Sequence, residues 1–325
     1  MRAALPSAAV RPHAGPQWRF CASRADEVLY GGQAGGGKTK GLVLAASRYA
    51  AVPRYQAILL RRTFPELERS VLLESRDLYP RMGGVYSEKR KVWRFPSGAL
   101  IWLGHVEHES DLTQYLSAEF AGLYFDELTT FEEEQYLYLL SRLRTTAIDP
   151  ETGLAVPAVV RAGTNPGGVG HEWVRRRWRA WLGERPTARD GDVRWYVGDG
   201  DAEVPAGTAG ARSRQFIRST LKDNPTLDEA DPGYRARLDS LPLLVRMALR
   251  DGRWDLSVEG NVLRREWLRR TVPEAPDGLR WVRYYDLAAS LRTTASRTAT
   301  LAGALGEDGT LYLARGYAGR IEWPE

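Results

Sequence analysis

The chain has 325 residues, a mass of 36.4 kDa, a formal net charge of +5 and an isoelectric point near 9.3, with 43% hydrophobic and 27% charged residues. This composition excludes wholesale disorder and predicts one α/β domain of about 250 residues with a smaller appendage. The single cysteine, Cys21, excludes an internal disulfide and a cysteine metal cluster and fits a reducing cytoplasm, and no run approaches the roughly 20 apolar residues of a membrane span, so no membrane partner is expected.

In chain order, Met1 to Pro16 is rich in Ala, Pro and Arg and lacks the apolar core of a secretory signal, so residues 1–14 read as a flexible arm. Glu27-Val28-Leu29-Tyr30 predicts a short buried strand, and Leu42 to Ala46 carries a helix onward from Thr39. Between them Gly31-Gly32-Gln33-Ala34-Gly35-Gly36-Gly37-Lys38-Thr39 fits the phosphate-loop pattern GxxxxGK[ST] at Gly32, Gly37, Lys38 and Thr39. In such a loop the backbone N–H groups from Gln33 and Ala34 through Gly35, Gly36 and Gly37 turn toward the α and β phosphates. Lys38 reaches the β and γ oxygens, and the Thr39 hydroxyl ligates Mg²⁺. A flexible glycine loop meeting the pattern by accident is the plainer alternative. The strand–loop–helix order counts against it, as does a lysine kept at this place in a chain with only five lysines and a large arginine excess. The chain is therefore expected to bind ATP with Mg²⁺.

Apolar runs at Ala57 to Leu60, Ala121 to Phe125 and Val156 to Ala162 alternate with helical stretches, the rhythm of a mainly parallel sheet covered by helices. Lys91 to Phe95 and Ala99 to Leu103, joined by Pro96-Ser97-Gly98, predict an antiparallel hairpin at a sheet edge. Leu123-Tyr124-Phe125-Asp126-Glu127 delivers two carboxylates at a strand's C-terminal end, where ligands sit in open α/β sheets. It reads as a Walker B motif, with Asp126 in the Mg²⁺ shell opposite Thr39 and Glu127 activating the attacking water. Glu132 to Arg144 predicts one helix, with Tyr136, Leu139, Leu140 and Leu143 on one face. The next strand ends in Gly163-Thr164-Asn165-Pro166-Gly167-Gly168. Thr164 and Asn165 there can sense the γ-phosphate, although an ordinary Asn-Pro-Gly turn is the simpler reading of that stretch alone.

Further on, Trp173 to Arg179 and Val262 to Arg270 interleave tryptophan with arginine. That suits either a phosphate-gripping surface or a solvated helix face with its tryptophans inward. Asp228 to Arg253 is helical in pattern, broken at Pro242, and Thr271 to Gly278 is the best linker. Trp281 to Leu287, Thr298 to Leu305 and Thr310 to Ala314 predict a three-stranded meander.

Taken together these motifs resemble the large terminase subunit of tailed double-stranded DNA phages. The likeness runs through Gly15-Pro16-Gln17, YGGQAGGGKT at 30–39, LLRRTFPEL at 59–67, FPSGALIWLGH at 95–105 and AEFAGLYFDELTTFEEEQYLYLLSRLR at 118–144. It continues through GTNPGGVGHEWVRRRW at 163–178, Asp223-Asn224-Pro225, Asp251-Gly252-Arg253-Trp254 and YYDLAAS at 284–290. The resemblance implies an additional-strand P-loop NTPase domain over 15–256 with a helical subdomain near 225–256, a linker at 257–279, and the start of an RNase H-like nuclease domain at 280–325. It also implies a motor that translocates double-stranded DNA, working as a homo-oligomeric ring with a portal protein and a small terminase subunit at the procapsid in the host cytoplasm. By the same resemblance Gln17 contacts adenine, Thr164 and Asn165 form the coupling motif, Arg142 or Arg144 supplies an arginine finger, and Asp286 is the nuclease's first metal carboxylate. Both arginines fit a plain helix C-terminal charge role equally well.

The likeness breaks near the end. Ser296 stands where relatives commonly have an aspartate, Glu307 and Asp308 fall in a turn, and the later metal ligands are not in this sequence. The expectation is an ATPase without nuclease activity of its own and an exposed, poorly soluble sheet edge over 280–325. The rivals are a helicase or recombination ATPase, a small-molecule kinase, which Glu127 argues against, and a decayed, non-catalytic DNA-binding scaffold.

Overall fold

Strands covered by helices on both faces must be apolar on both sides, and the buried runs of this sequence meet that demand. In a computed structural model the described residues are 11–198, 202–256, 272, 274–286 and 298–319. The chain divides into two compact units, Met1–Ser257 and Val258–Glu325. The strands of the first are β1 (Glu27–Gly32), β2 (Gln56–Arg61), β3 (Val85–Ser87), β4 (Val92–Arg94), β5 (Leu100–His105), β6 (Gly122–Asp126), β7 (Val159–Thr164), β8 (Val193–Val197), β9 (Ala202–Val204) and β10 (Arg212–Ser219). They form a ten-stranded sheet in the order β3-β4-β5-β2-β6-β7-β1-β10-β8-β9. From β5 to β10 neighbours pair in parallel, and the two edges are extended by antiparallel strands. The expected edge hairpin is β4–β5; β3 adds one more strand, too short to stand out from its sequence.

Alternation along each strand divides the core into two layers. Val28, Tyr30, Ala57, Leu59 and Tyr124 pack on one face, under α1 (Pro16–Ala22) and α2 (Lys38–Ala46). On this side α3 (Phe64–Leu67) and α4 (Leu73–Leu78) are joined by a π-helical turn, Glu68–Leu72. Leu29, Ile58, Leu60, Leu123 and Phe125 pack on the other face, under α5 (Glu133–Leu140), α6 (His171–Arg177) and α7 (Arg179–Leu182). The helical stretch after β10 consists of α8 (Pro225–Ala230), α9 (Tyr234–Asp239) and α10 (Leu243–Leu249), with Pro242 as the N-cap of the last.

One sequence expectation needs correction, and one open alternative is decided in part. The helix expected to run to Arg144 ends at Leu140. Beyond it Phe120 donates its N–H to the Arg142 carbonyl (3.1 Å) and accepts from the Arg144 N–H (2.9 Å), so the chain leaves the helix to pair with the segment entering β6. The apolar residue that continues the helical period, Leu143, is held instead in a strand-like bridge. In the Trp173–Arg179 cluster both tryptophans are buried, Arg177 is buried against Glu27, and Arg176 pairs with Glu133. Arg177 is thus spent inside the unit, while Arg176 and Arg179 stay exposed. The second cluster, Val262–Arg270, lies outside the described residues, as does Ser296.

The second unit contains β11 (Val282–Asp286), β12 (Thr298–Leu305) and β13 (Leu311–Gly319), an antiparallel sheet in that order with a register shift between Thr300 and Ala302. The last strand extends past the expected Ala314. Val282 and Tyr284 on β11, Leu305 on β12 and Leu311 on β13 are exposed. Three antiparallel strands define a meander, which many folds contain.

Glu27, fully buried at the start of β1, gathers that end of the first unit. Arg177 donates to both its oxygens (2.9 and 3.0 Å), Tyr136 donates at 2.7 Å, and Arg212 and Arg214 approach to 3.3 and 3.7 Å. Burial pushes the Glu27 pKa up, but Arg177 and Arg214 together with the hydrogen bonds from Arg177 and Tyr136 outweigh it and hold it at about 2, against 4.5 for a free glutamate. A depressed acid stabilises the fold above its unfolded pKa and loses that contribution as pH falls through the folded one. Glu27→Gln is therefore expected to lower urea-measured stability by about 3 kcal/mol at pH 7. The gap between variant and wild type should shrink as pH falls from 4.5 toward 2.

Candidate active site

Sheet register brings the site together. Gly31 lies opposite Thr164, Gly163 opposite Asp126 and Phe125 opposite Leu60, so β1, β7, β6 and β2 finish along one edge. Immediately beyond β1 the glycine loop turns into α2. Three successive carbonyls are bound by surrounding elements: Gly35 O by Asn224 Nδ2 (2.8 Å), Gly36 O by Tyr30 OH (3.0 Å) and Ser219 Oγ (3.2 Å), and Gly37 O by Gln17 Nε2 (2.9 Å). In a planar trans peptide the next N–H points the opposite way, so the amides of Gly36, Gly37 and Lys38 turn from those partners and form an anion nest at the α2 N-terminus. Gly37 is left-handed (φ 73°), and a Cβ on Gly36 would lie 1.8 Å from Ser219 Oγ. Gln33 and Ala34 have another role. Their N–H groups donate to the Ser219 (2.9 Å) and Leu249 (2.7 Å) carbonyls, and Gln33 Oε1 accepts from Leu221 N (2.9 Å), which braces the loop against β10 and α10.

Lys38 Nζ donates to Gln33 O (2.6 Å) and Asn165 Oδ1 (2.7 Å). Burial lowers its pKa, opposed by the Glu127 and Asp126 carboxylates. Thr39 Oγ1 donates to Asp126 Oδ1 at 3.0 Å, and Asp126 is 1% exposed. Glu127 stands in the left-handed region (φ 57°, ψ 59°), a conformation that costs a residue with a Cβ about 1–3 kcal/mol and is common at functional sites. Its carboxylate accepts from Asn165 N (3.2 Å), Asn165 Nδ2 (3.3 Å) and Thr164 Oγ1 (3.4 Å). Burial and the neighbouring Asp126 raise its pKa, with Lys38 pulling the other way. A raised carboxyl pKa beside a poised lysine suits a general base.

The adjoining cavity, about 660 Å³, is lined by Gln17, Gly35, Lys38, Glu127, Asn224 and Tyr234 among others. Gln17 is fixed from the N-terminal side, where the His13 N–H donates to its Oε1 (2.7 Å), and His13 Nε2 meets Thr226 Oγ1 at 3.3 Å. Sequence reasoning assigned no role to Asn224, Tyr234, His13 or Arg61. Arg61 pairs with Asp126; only the Leu60–Phe125 register could have singled it out from Arg62, which bonds Gln135 instead (2.5 Å).

The remaining candidates lie elsewhere. Arg142 donates to the Leu116 carbonyl (2.5 Å) and covers the Tyr138 ring, while Arg144 pairs with Glu119 (3.0 Å). Both flank Phe120, ahead of β6 and about 20 Å along the extended chain from Asp126. Asp286 is the exposed last residue of β11 in the second unit, opposite Ala299. Among the described residues no three His, Cys, Asp or Glu side chains gather as a metal site.

A parallel sheet whose first strand runs through a glycine loop into a helix is the architecture of the P-loop α/β class. The family profile "Terminase large subunit, T4likevirus-type, N-terminal" matches residues 29–270, and the chain belongs to that family of phage terminase large subunits. No curated protein matches it. Among solved structures, the large terminase of a thermophilic bacteriophage superposes with a TM-score of 0.56 at 15% identity, covering 95% of this chain and 69% of that one. The same phage protein in complex with ADP gives 0.53 at 16% identity, covering 94% and 68%. At these identities the likeness is one of fold.

Gly36→Ala is expected to keep the thermal unfolding transition of the unit within a few degrees while weakening nucleotide binding by at least about tenfold, because the loop or Ser219 must move to admit the methyl. Titration with a fluorescent ADP analogue, beside a melting curve, checks both parts.

Proposed function

We propose that this chain is the motor subunit of a phage packaging machine, hydrolysing ATP and using the free energy to translocate double-stranded DNA into a procapsid. The observation that carries this reading is the meeting of Lys38, Thr39, Asp126, Glu127 and Asn165 at the sheet edge beside an outward-braced glycine loop. Family membership and the ADP held by the thermophilic phage's large terminase support it. The triphosphate would lie along the N–H groups of Gly36, Gly37 and Lys38, with its base near Gln17 and Tyr234. Thr39 and Asp126 offer a hydroxyl and a carboxylate 3.0 Å apart, the hard oxygen donors that suit Mg²⁺. When bound, the ion neutralises phosphate charge.

Glu127 accepts a proton from the attacking water. Asn165 ties that carboxylate to Lys38, so loss of the γ-phosphate releases Lys38 and shifts Asn165 and Thr164, a route from chemistry to movement through β7. Arg142 and Arg144, remote from their own site, would serve only a neighbouring copy, consistent with a ring. The portal and the small terminase subunit are the remaining partners, in the host cytoplasm at the procapsid. Among the described residues no helix is long and apolar enough to cross a membrane.

The test is steady-state ATP hydrolysis with and without double-stranded DNA. Lys38→Ala is expected to abolish nucleotide binding and turnover. Glu127→Gln should retain binding and lose about 10²–10⁴-fold in kcat. An unchanged rate in Glu127→Gln would overturn the assignment of the base. Because burial and Asp126 raise the Glu127 pKa, the base is lost as pH falls through that raised value. The acid limb of kcat/KM against pH, which reports the free enzyme, should accordingly lie above the ordinary carboxylate range, and a limb within that range contradicts it.

A further inference from the structure

The two carboxylate oxygens of Asp126 face different partners. Oδ1 accepts the Thr39 hydroxyl, whereas Oδ2 accepts from Arg61 Nη1 and lies 3.5 Å from Ser70 Oγ. Arg61 ends β2, the strand next to β6, and Ser70 holds it from the other side: Arg61 Nη1 donates to Ser70 Oγ at 3.3 Å, and that hydroxyl donates to the Glu66 carbonyl at 2.8 Å. Ser70 belongs to the π-helical turn, a local distortion frequent at functional sites. Among the described residues Arg61 Nε is buried without a hydrogen-bond acceptor, its nearest carboxylate oxygen being Glu66 Oε2 at 3.7 Å. Such a cost is tolerated where the guanidinium is held for another purpose. Arg61 meets the site through Asp126.

We infer that Arg61 is a positioning residue for the metal-binding carboxylate: by occupying Oδ2 it turns Oδ1 toward Thr39, so that hydroxyl and carboxylate present together to a divalent cation. This rests on the reading of Thr39 and Asp126 as the metal's side of the site. A lysine is a poor substitute: Nη1 makes both contacts, and its place is fixed by the rigid planar guanidinium, whereas an ammonium is a point charge on a flexible stem. Partners that orient metal ligands are commonly worth about 10–100-fold in metal affinity.

The experiment uses the full chain and two binding measurements. Mn²⁺ affinity is read by electron paramagnetic resonance with the β,γ-imido analogue of ATP present, and affinity for a fluorescent ADP analogue is read in EDTA. Arg61→Gln is expected to weaken Mn²⁺ binding about 10–100-fold while leaving metal-free nucleotide affinity within about twofold. A purely structural role would lower both together, and that result overturns the inference, as does unchanged or tighter Mn²⁺ binding. Arg61→Lys decides the matter where Arg61→Gln does not fold: it too is expected to lose Mn²⁺ affinity, and wild-type affinity overturns the inference. Asp126→Asn separates the two levels. If it binds Mn²⁺ like wild type, the metal assignment itself fails; if it weakens binding and the Arg61 variants do not, only the role of Arg61 falls.

Discussion

The glycine loop holds its shape because its carbonyl oxygens are already satisfied. Tyr30, Ser219, Gln17 and Asn224, contributed by β1, β10, α1 and the entrance to α8, each take a carbonyl and thereby fix the direction of the following amide. An anion nest made this way is organised before any anion arrives, and the free energy of binding is not spent on ordering the loop. The same bonds explain why the loop needs neighbours on four separate elements. Without the sheet order that sets β10 beside β1, Ser219 would not reach Gly36, and without the helical subdomain Gly35 would lose its partner.

Much of this was legible in the sequence, for identifiable reasons. The strand–loop–helix order, the carboxylate pair and the Thr164-Asn165 tip are local patterns whose chemistry requires given residue types at given spacings, and parallel strands announce themselves as continuous apolar runs. What was hidden depends on contacts between distant segments. Arg61 and Arg62 are adjacent and chemically identical, and only pairing with β6 decides which one faces Asp126. The end of α5 at Leu140 was set by Phe120, a residue far upstream, overriding a helical period that continued to Leu143. The tryptophan–arginine cluster was ambiguous by composition alone, because an arginine on a buried glutamate and an arginine on a phosphate look the same in a sequence.

Charge within the site is balanced before ligand enters: Lys38 and Arg61 face Asp126 and Glu127. Opposite charges paired in this way avoid the cost of an isolated charge on buried Lys38 or Asp126. An added anion would redistribute Lys38, Asn165 and Glu127 together, since Lys38 is shared between the loop and Asn165, and Asn165 between Lys38 and Glu127. Strain at Glu127 adds to this poise, for a left-handed glutamate is held only by the hydrogen bonds around it.

The cavity is closed on one side by the first helix and on the other by α8, and His13 and Thr226, 213 residues apart in sequence, touch across it. A molecule seated there would act as a staple between the beginning and the end of the unit, enclosing the whole ten-stranded sheet in one loop. Closing so long a loop removes chain entropy from partly unfolded forms in which either terminus has come away. Occupancy is thereby registered in the cooperativity of the entire unit, not only in the few residues that line the cavity.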